Sequence, residues 1–496
     1  MKKATKIVVI LSFCLCIVSI ALFAVLAINQ FSFDPGGSIE FIAESGVDVT
    51  VSKATLYGIS KKSGSGAMNS FEVTKDMTET QIQALSGYKS WSNLKLAFAE
   101  GSEGIGRLIF SVRNNSQNQS ENVFVKLTTN TTLASKITVT PSADYCVNPG
   151  DIHAFVVDFV VQDPTQAVPA TNFALTVELD LVKTEDVYDE TEYYDEDGYE
   201  MAFNYEDTTS IATLTDIQNS PKDIVLPELV KHNNKVYTIG KIGEHAFEPL
   251  KTLSPTSLVL PNTISVIGAW AFDGQSTLKG DLVIPHSVDV IGQSAFSNCS
   301  GFTGTLTLSP RLKEITKGSF AYCQFNCDLV IPRGVVYIRD EAFLEFVGFT
   351  DIVLPEGLEY IGEKAFCDSG LVGEATLELP STLRDIGPDA FNGCGITGEL
   401  IIPESLTVIQ YSAFAYTALS TIVFPATCEE IEFNAFYNST DYRAIVVYSE
   451  EPPMLGSNAW GENKKPPIYV PDEVYDVYRT HLDWDDQRIY KLSERY

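Results

Sequence analysis

Hydrophobic positions along this chain follow two different rhythms. Between residues 35 and 182 they alternate: Ile39 and Phe41; Val47, Val49 and Val51; Leu94, Leu96 and Phe98; Leu108, Phe110 and Val112. The same alternation continues through Val123, Val125 and Leu127, then Phe155, Val157, Phe159 and Val161, and ends on Phe173, Leu175, Val177, Leu179 and Leu181. Successive strand side chains face opposite ways, so this pattern predicts seven or more half-buried strands. Turn material such as Asn114-Asn115-Ser116 and Asn148-Pro149-Gly150 lies between them, and residues 60–70 read as a flexible loop. The predicted unit is an antiparallel β-sandwich over residues 35–182.

Past residue 209 a longer period takes over. LVLPNTISVIGAWAF at 258–272 returns as LVIPHSVDVIGQSAF at 282–296, IVLPEGLEYIGEKAF at 352–366 and LIIPESLTVIQYSAF at 400–414. The closing Phe is Phe247, Phe272, Phe296, Phe320, Phe343, Phe366, Phe391, Phe414 and Phe436, with steps of 22 to 25 residues. An Ile stands five residues before each: Ile242, Ile267, Ile291, Ile315, Ile338, Ile361, Ile386, Ile409 and Ile431. Nine copies at a period in the twenties predict a leucine-rich-repeat solenoid over residues 209–446.

Within one copy, Leu258 and Leu260 should point inward and Ser257 and Val259 outward, with Pro261 ending the strand. Gly268 should permit a tight corner, and Phe272 should fill the far end of the coil. Stacked strands should lie about 4.8 Å apart in the ladder. The first repeat is irregular, since His232-Asn233-Asn234 sits in an insertion between Ile224-Val225-Leu226-Pro227 and Ile239-Gly240. Ser309 replaces one Pro, and Thr316, Arg339, Gln410 and Glu432 replace the Gly. These should adjust turns without breaking the stack.

With its tail, SEEPPMLGSNAW followed by IYVPDEVYDVYRTHLDW, this repeat resembles the BspA-type leucine-rich repeats of bacterial surface proteins. Residues 447–496 are expected to cap the last coil. The resemblance implies a cell-surface protein that adheres to, or binds, host or neighbouring-cell macromolecules. The alternating region more loosely resembles the secreted β-sandwich domains of bacterial matrix-fibre proteins of the TasA and camelysin type. A structural role in an extracellular matrix or biofilm is therefore the alternative expectation.

The N-terminus fits export. Lys2, Lys3 and Lys6 precede an apolar run at residues 7–28. Two readings stay open for residues 1–30: a membrane helix at 7–28 that keeps the positive flank in the cytoplasm, or a signal peptide cut after Val25-Leu26-Ala27. Either places the rest of the chain outside the cell. Residues 183–208 carry eleven carboxylates among tyrosines and read as an extended acidic linker. A calcium site at Asp195, Glu196 and Asp197 is the sharper alternative, but the spacing lacks the distal Glu of a calcium loop.

Composition narrows the function classes. The chain is 45% hydrophobic and 20% charged, and its formal net charge of −31 opposes nucleic-acid binding. The five His form no ligand pair, and no nucleophile elbow, phosphate loop or Cys–His signature is present. Carboxylates are too numerous to mark an acid/base pair. An enzyme that uses the solenoid to hold substrate is the minority expectation, and no cofactor is implied. Cys299, Cys323 and Cys394 follow the repeat Phe by three residues and suit small buried slots. A disulfide or a metal site, the latter suggested by the spacing of Cys323 and Cys327, is the alternative.

What remains is the outward face of the Leu-x-Leu strand. One column reads Val259, Val283, Thr307, Val330, Val353, Glu378, Ile401 and Val423. Beside it run Ser257, Asp281, Thr305, Asp328, Asp351, Thr376, Glu399 and Thr421. The candidate binding surface is Ser257, Val259, Asp281, Val283, Asp328, Val330, Asp351, Val353, Glu399 and Ile401. Such an apolar stripe beside an acidic one suits a basic partner or a cation, although β-branched residues also pack well across strands for structural reasons alone.

Overall fold

The computed structural model describes strands between residues 6 and 98, then residues 105–130, 137–161, 168–172, 174–187, 200–218, 223–248, 250, 255–370, 376–439, 442–462 and 465–495. It forms two compact units: Met1–Glu192 with Tyr205–Ala212 and Pro227–Gly240, and Tyr193–Asn204 with Thr213–Leu226 and Lys241–Tyr496.

The alternating residues of the first unit build sheets, as their period requires. One five-stranded sheet runs Lys6–Ile10, Ser38–Glu44, Ala174–Lys183, Glu121–Asn130, Tyr145–Val147. A second runs Phe71–Asp76, Val49–Ile59, Ile105–Asn114, Ile152–Val161, Ile137–Pro141. Three more strands, Val168–Asn172, Leu94–Phe98 and Ser32–Pro35, form a small third sheet. Phe110, Val112, Val125, Phe155, Val157, Phe159, Val177 and Leu179 are buried, each on the phase that alternation gives it.

Two expectations are corrected here. The sandwich is not wholly antiparallel, because Ala174–Lys183 pairs in parallel with Ser38–Glu44. These strands stand far apart in sequence, so no short hairpin dictates their sense. A membrane helix at 7–28 is one of the two readings of that run, but it begins as the strand Lys6–Ile10, antiparallel to Ser38–Glu44. β-Branched Ile7, Val8, Val9 and Ile10 favour extended backbone. The remainder of that run lies outside the described residues, as do Asp195, Glu196 and Asp197. Among the described residues no helix is long and apolar enough to cross a membrane.

The insertion around His232 is a hairpin. Leu229–His232 pairs antiparallel with Lys235–Ile242, and Asn233 and Asn234 turn it with φ of 49° and 61°. Asn is the residue other than Gly that best tolerates this two-residue turn. Val236 packs with Phe124, Cys146 and Val187 in the first unit's core, and Thr238 Oγ1 accepts the Cys146 N–H at 3.0 Å.

A buried carboxyl and a half-buried imidazole in this unit oppose each other in acid. Asp144 Oδ1 accepts the Leu127 N–H at 2.9 Å, and burial raises its carboxyl to about 6. His153 stacks on Tyr145 at 3.6 Å, and burial lowers it to about 4. For His153 the unfolded chain takes the proton first, so its stabilising contribution is lost as pH falls from about 6.5 to 4. For Asp144 the folded chain takes the proton first, so stability rises as pH falls from about 6 to 3.8. Each effect is worth about 3 kcal/mol over its window, and the two nearly cancel. The His153→Phe protein should therefore become more stable between pH 6.5 and 4.5, and Asp144→Asn less stable. Scanning calorimetry at the two pH values tests this; parallel profiles for both variants and the parent would refute it.

In the second unit most coils contribute two short parallel strands and a turn around the repeat Phe, the coil ending on Phe391 keeping only Asp385–Ile386 and a bridge at Thr376. Leu282 and Ile284 are 1% and 2% exposed while Val283 between them is 58% exposed, so the inward and outward assignments hold. Leu258 and Leu260 are only half-buried. The first-strand ladder forms four hydrogen-bonded blocks among the described residues: 223–225 with 257–259, 282–283 with 306–307, 329–330 with 352–353, and 397–401 onward. At the break after residue 307 the Leu306 N–H meets the Cys327 thiol at 3.4 Å. Ser309 keeps the turn that Pro makes elsewhere. Its carbonyl accepts from the Leu312 N–H, as the Pro285 carbonyl does from Val288, and its hydroxyl donates to the His286 carbonyl.

The glycines act differently from the sequence expectation. Gly268 and Gly292 are not the residues with positive φ; Trp270 and Ser294, two residues before each Phe, are, at 51° and 52°. The glycines are small because the neighbouring coil lies against them. A Cβ on Gly292 would stand 2.3 Å from Ala269 N, and one on Gly268 2.6 Å from Glu244 N. The left-handed residues are held from coil to coil, with Trp270 N–H donating to the Gln293 carbonyl and Phe272 N–H to that of Ala295. Gly292→Ala is expected to cost about 1–3 kcal/mol through overpacking. An unchanged denaturation midpoint would refute the close-approach account.

The repeat Phe rings stack. From Phe272 to Phe436 adjacent centroids lie 4.9 to 5.7 Å apart. Three residues after most of these Phe, though not after Phe247 or Phe343, where Leu250 and Phe346 stand, sits a donor. Gln275 reaches Phe247 O, Cys299 reaches Phe272 O, Cys323 reaches Phe296 O, and Ser439 reaches Phe414 O. The thiols therefore serve as buried polar fillers. Burial pushes Cys323 up to about 12 and Cys394 to about 11. None of the seven cysteines among the described residues is in a disulfide.

Beyond Phe436 the chain adds Ala444–Val447, Pro467–Val470 and Arg488–Lys491 to the first-strand ladder, all parallel. Against this end pack two fully buried aromatics. Tyr478 OH donates to the Ser449 carbonyl, and Trp484 Nε1 to that of Pro453.

Candidate functional site

The outward positions of the first strand are where the coil offers side chains it does not use internally. Val225, Val259, Val283, Val330, Val353 and Ile401 are 46–60% exposed. The register pairs Val225 with Val259, Val283 with Thr307, Val330 with Val353, and Ile401 with Val423. Thr307 and Glu378 are exposed members of the same column, and Val423 is half-buried.

Two residues earlier in each strand, about 6.6 Å away, runs the polar column. Asp281, Asp328 and Glu399 are exposed, while Ser257 and Asp351 are half-buried. Much of this column is cross-linked between coils. Ser257 Oγ donates to Asp223 Oδ1 at 2.7 Å. Thr305 donates both its N–H, at 2.7 Å, and its hydroxyl, at 2.9 Å, to Asp281 Oδ1. These bonds hold the Asp281 carboxyl below its usual value. Thr350 Oγ1 donates to Asp328, and Asp351 Oδ1 accepts the Ile352 N–H at 2.9 Å. The carboxylates thus tie coils together and still present negative charge to solvent.

One cation already meets this column. Arg495 Nη2 lies 3.9 Å from Glu399 Oε1. Glu399 stands in the strand Thr397–Ile401, four strands back along the ladder from Arg488–Lys491. The tail is also anchored where Ser493 donates its N–H and hydroxyl to Asp472.

Sequence reasoning missed Val225 and Asp223, which extend the two columns at the start. DIVLP at 223–227 carried the signal, but the hairpin behind it hid the register. It also missed Arg495, since contact with Glu399 depends on the path of the tail. Among the described residues no group of three or more His, Cys, Asp or Glu is placed to hold a metal ion.

Residues 240–372 and 373–479 match the family described as BspA type leucine rich repeat region, in six copies. No curated protein matches the sequence. Among solved structures, a leucine rich cell surface protein from Faecalibacterium prausnitzii is similar at 22% identity, covering 57% of this chain and 89% of its own, with a TM-score of 0.40. A leucine-rich repeat protein from Bacteroides ovatus is similar at 19% identity, covering 59% and 98%, with a TM-score of 0.31. The pneumococcal vaccine antigen PcpA is similar at 16% identity, covering 60% and 97%, with a TM-score of 0.31.

Proposed function

We propose, for a chain whose residues 240–479 are a BspA-type leucine-rich repeat region, that it is an exported cell-surface protein whose solenoid binds other proteins. The observation that carries the reading is the exposed apolar column beside an acidic one, repeated coil after coil on one strand face. Monomeric surfaces seldom leave such a contiguous apolar stripe without a use. The basic residues before the apolar run at the N-terminus support export, with the positive end left inside. Adhesion to a host or a neighbouring cell is the role that this display serves.

The full-length protein on cells, exposed to extracts of host surface and matrix, should retain a protein partner. Replacing Asp281, Asp328 and Asp351 with Lys should reduce that capture about tenfold or more, because like charge would face the partner. Circular dichroism should report a folded chain, since the exposed inter-coil bonds lost at Asp281 and Asp328 are worth about 1 kcal/mol each and the buried core is untouched. Capture that is unaffected in the folded triple variant would rule out this face.

A further inference from the structure

Resting on that reading of the face, we infer that the segment it takes is a basic amphipathic α-helix lying across the strands. Charge is the first ground. The polar column from Asp223 to Thr421 holds Asp, Ser, Thr and Glu and contains no Lys or Arg. Strand propensity explains the Val column, and inter-coil bonds hold Asp223, Asp281 and Asp328 in place, but Asp281, Asp328 and Glu399 still turn exposed negative charge to solvent. The cation seated there among the described residues, Arg495 on Glu399, comes from this chain's own tail and marks the position a partner's Arg or Lys would take.

Spacing is the second ground, and it decides the partner's conformation. Bonded strands of this face lie about 4.8 Å apart, and coils recur every 4.9 to 5.7 Å along the Phe stack behind it. A helix offers one row of side chains per 5.4 Å turn, so it stays in step over several coils. An extended strand offers same-face side chains every 6.6 Å or so. After five coils it would be out of step by about a whole coil. The two columns stand about 6.6 Å apart, and a helix about 10 Å wide covers both. Its apolar row would lie on Val283, Val330 and Val353, and its basic row beside Asp281 and Asp328.

The test uses the full protein and two fluorescein-labelled peptides of about eighteen residues, equal in Leu and Arg content. One spaces Leu and Arg on adjacent helical rows; the other alternates them at strand period. Fluorescence anisotropy should show the helical peptide binding about tenfold or more tighter than the alternating one. The Asp281→Asn, Asp328→Asn, Glu399→Gln variant should lose that binding about tenfold or more. Its amide oxygens still accept from Thr305 and Thr350, so the coils should keep their cross-links. Arg495→Ala should tighten binding severalfold by removing the resident cation. Equal affinity for the two peptides, or no binding of either, overturns the helix. If the alternating peptide binds and the amide variant abolishes it, the helix is wrong and the face remains the interaction surface. If the variant binds both peptides as the parent does, the face reading falls as well.

Discussion

Phe343→Ala is expected to lower the stability of the solenoid by about 3–5 kcal/mol. Phe343 is fully buried and stacked between Phe320 at 5.7 Å and Phe366 at 5.2 Å, with Phe346 edge-on at 5.4 Å. Deletion removes the transfer energy of the ring and also leaves a gap that neighbouring coils cannot close, because backbone bonds fix their spacing. The Phe320 N–H donates to the Ala342 carbonyl and the Phe343 N–H to that of Ala365. Both bonds span the site. In a stack held by nearest-neighbour contacts, a weak central interface can split one unfolding transition into two. Denaturant titration followed by far-ultraviolet circular dichroism measures both effects. A loss below about 1 kcal/mol would mean that the Phe column is not the core it is taken to be.

Trp484→Ala should cost a similar amount, about 3–5 kcal/mol, by a different route. Trp484 packs edge-on against Tyr478 at 5.2 Å and donates Nε1–H to the Pro453 carbonyl at 2.7 Å. Removing it uncovers the outer apolar face of the last coils, against which Tyr478 and Trp484 pack. Fraying should therefore be local. Amide hydrogen exchange should accelerate around residues 444–470 while residues near 290 keep their protection. Trp484→Phe should cost less, since it retains most of the packing and gives up one buried hydrogen bond worth about 1 kcal/mol. Protection lost evenly along the solenoid would contradict an end-specific role.

Much of the fold was legible because it is written in repeated spacing. The nine Ile and Phe pairs fixed the coil, and alternation marked the strands whose residues Phe110, Val125 and Phe159 are now buried. Less legible were features set by how neighbouring coils meet. Gly268 looked like a corner glycine, but the left-handed turn belongs to Trp270 and the glycine makes room for Glu244 N. The acidic column was visible, yet its bonds from Thr305 and Thr350 depend on inter-coil register. The parallel pairing of Ala174–Lys183 with Ser38–Glu44 has no local signal, because both strands look alike whichever way their partner runs. The candidate face was readable from the Leu-x-Leu phase, whereas the seat of Arg495 was not.

The Phe stack has a consequence for how such a chain can change length. Each coil bonds to its neighbours through the same positions, so one whole coil can be gained or lost with both junctions still matching. Such an event shifts everything downstream along the stack by 4.9 to 5.7 Å and keeps every side chain on its original face. A gain of half a coil would instead turn the Phe positions outward. The solenoid behaves as a ruler with fixed graduations, and its length can be reset in steps of one coil.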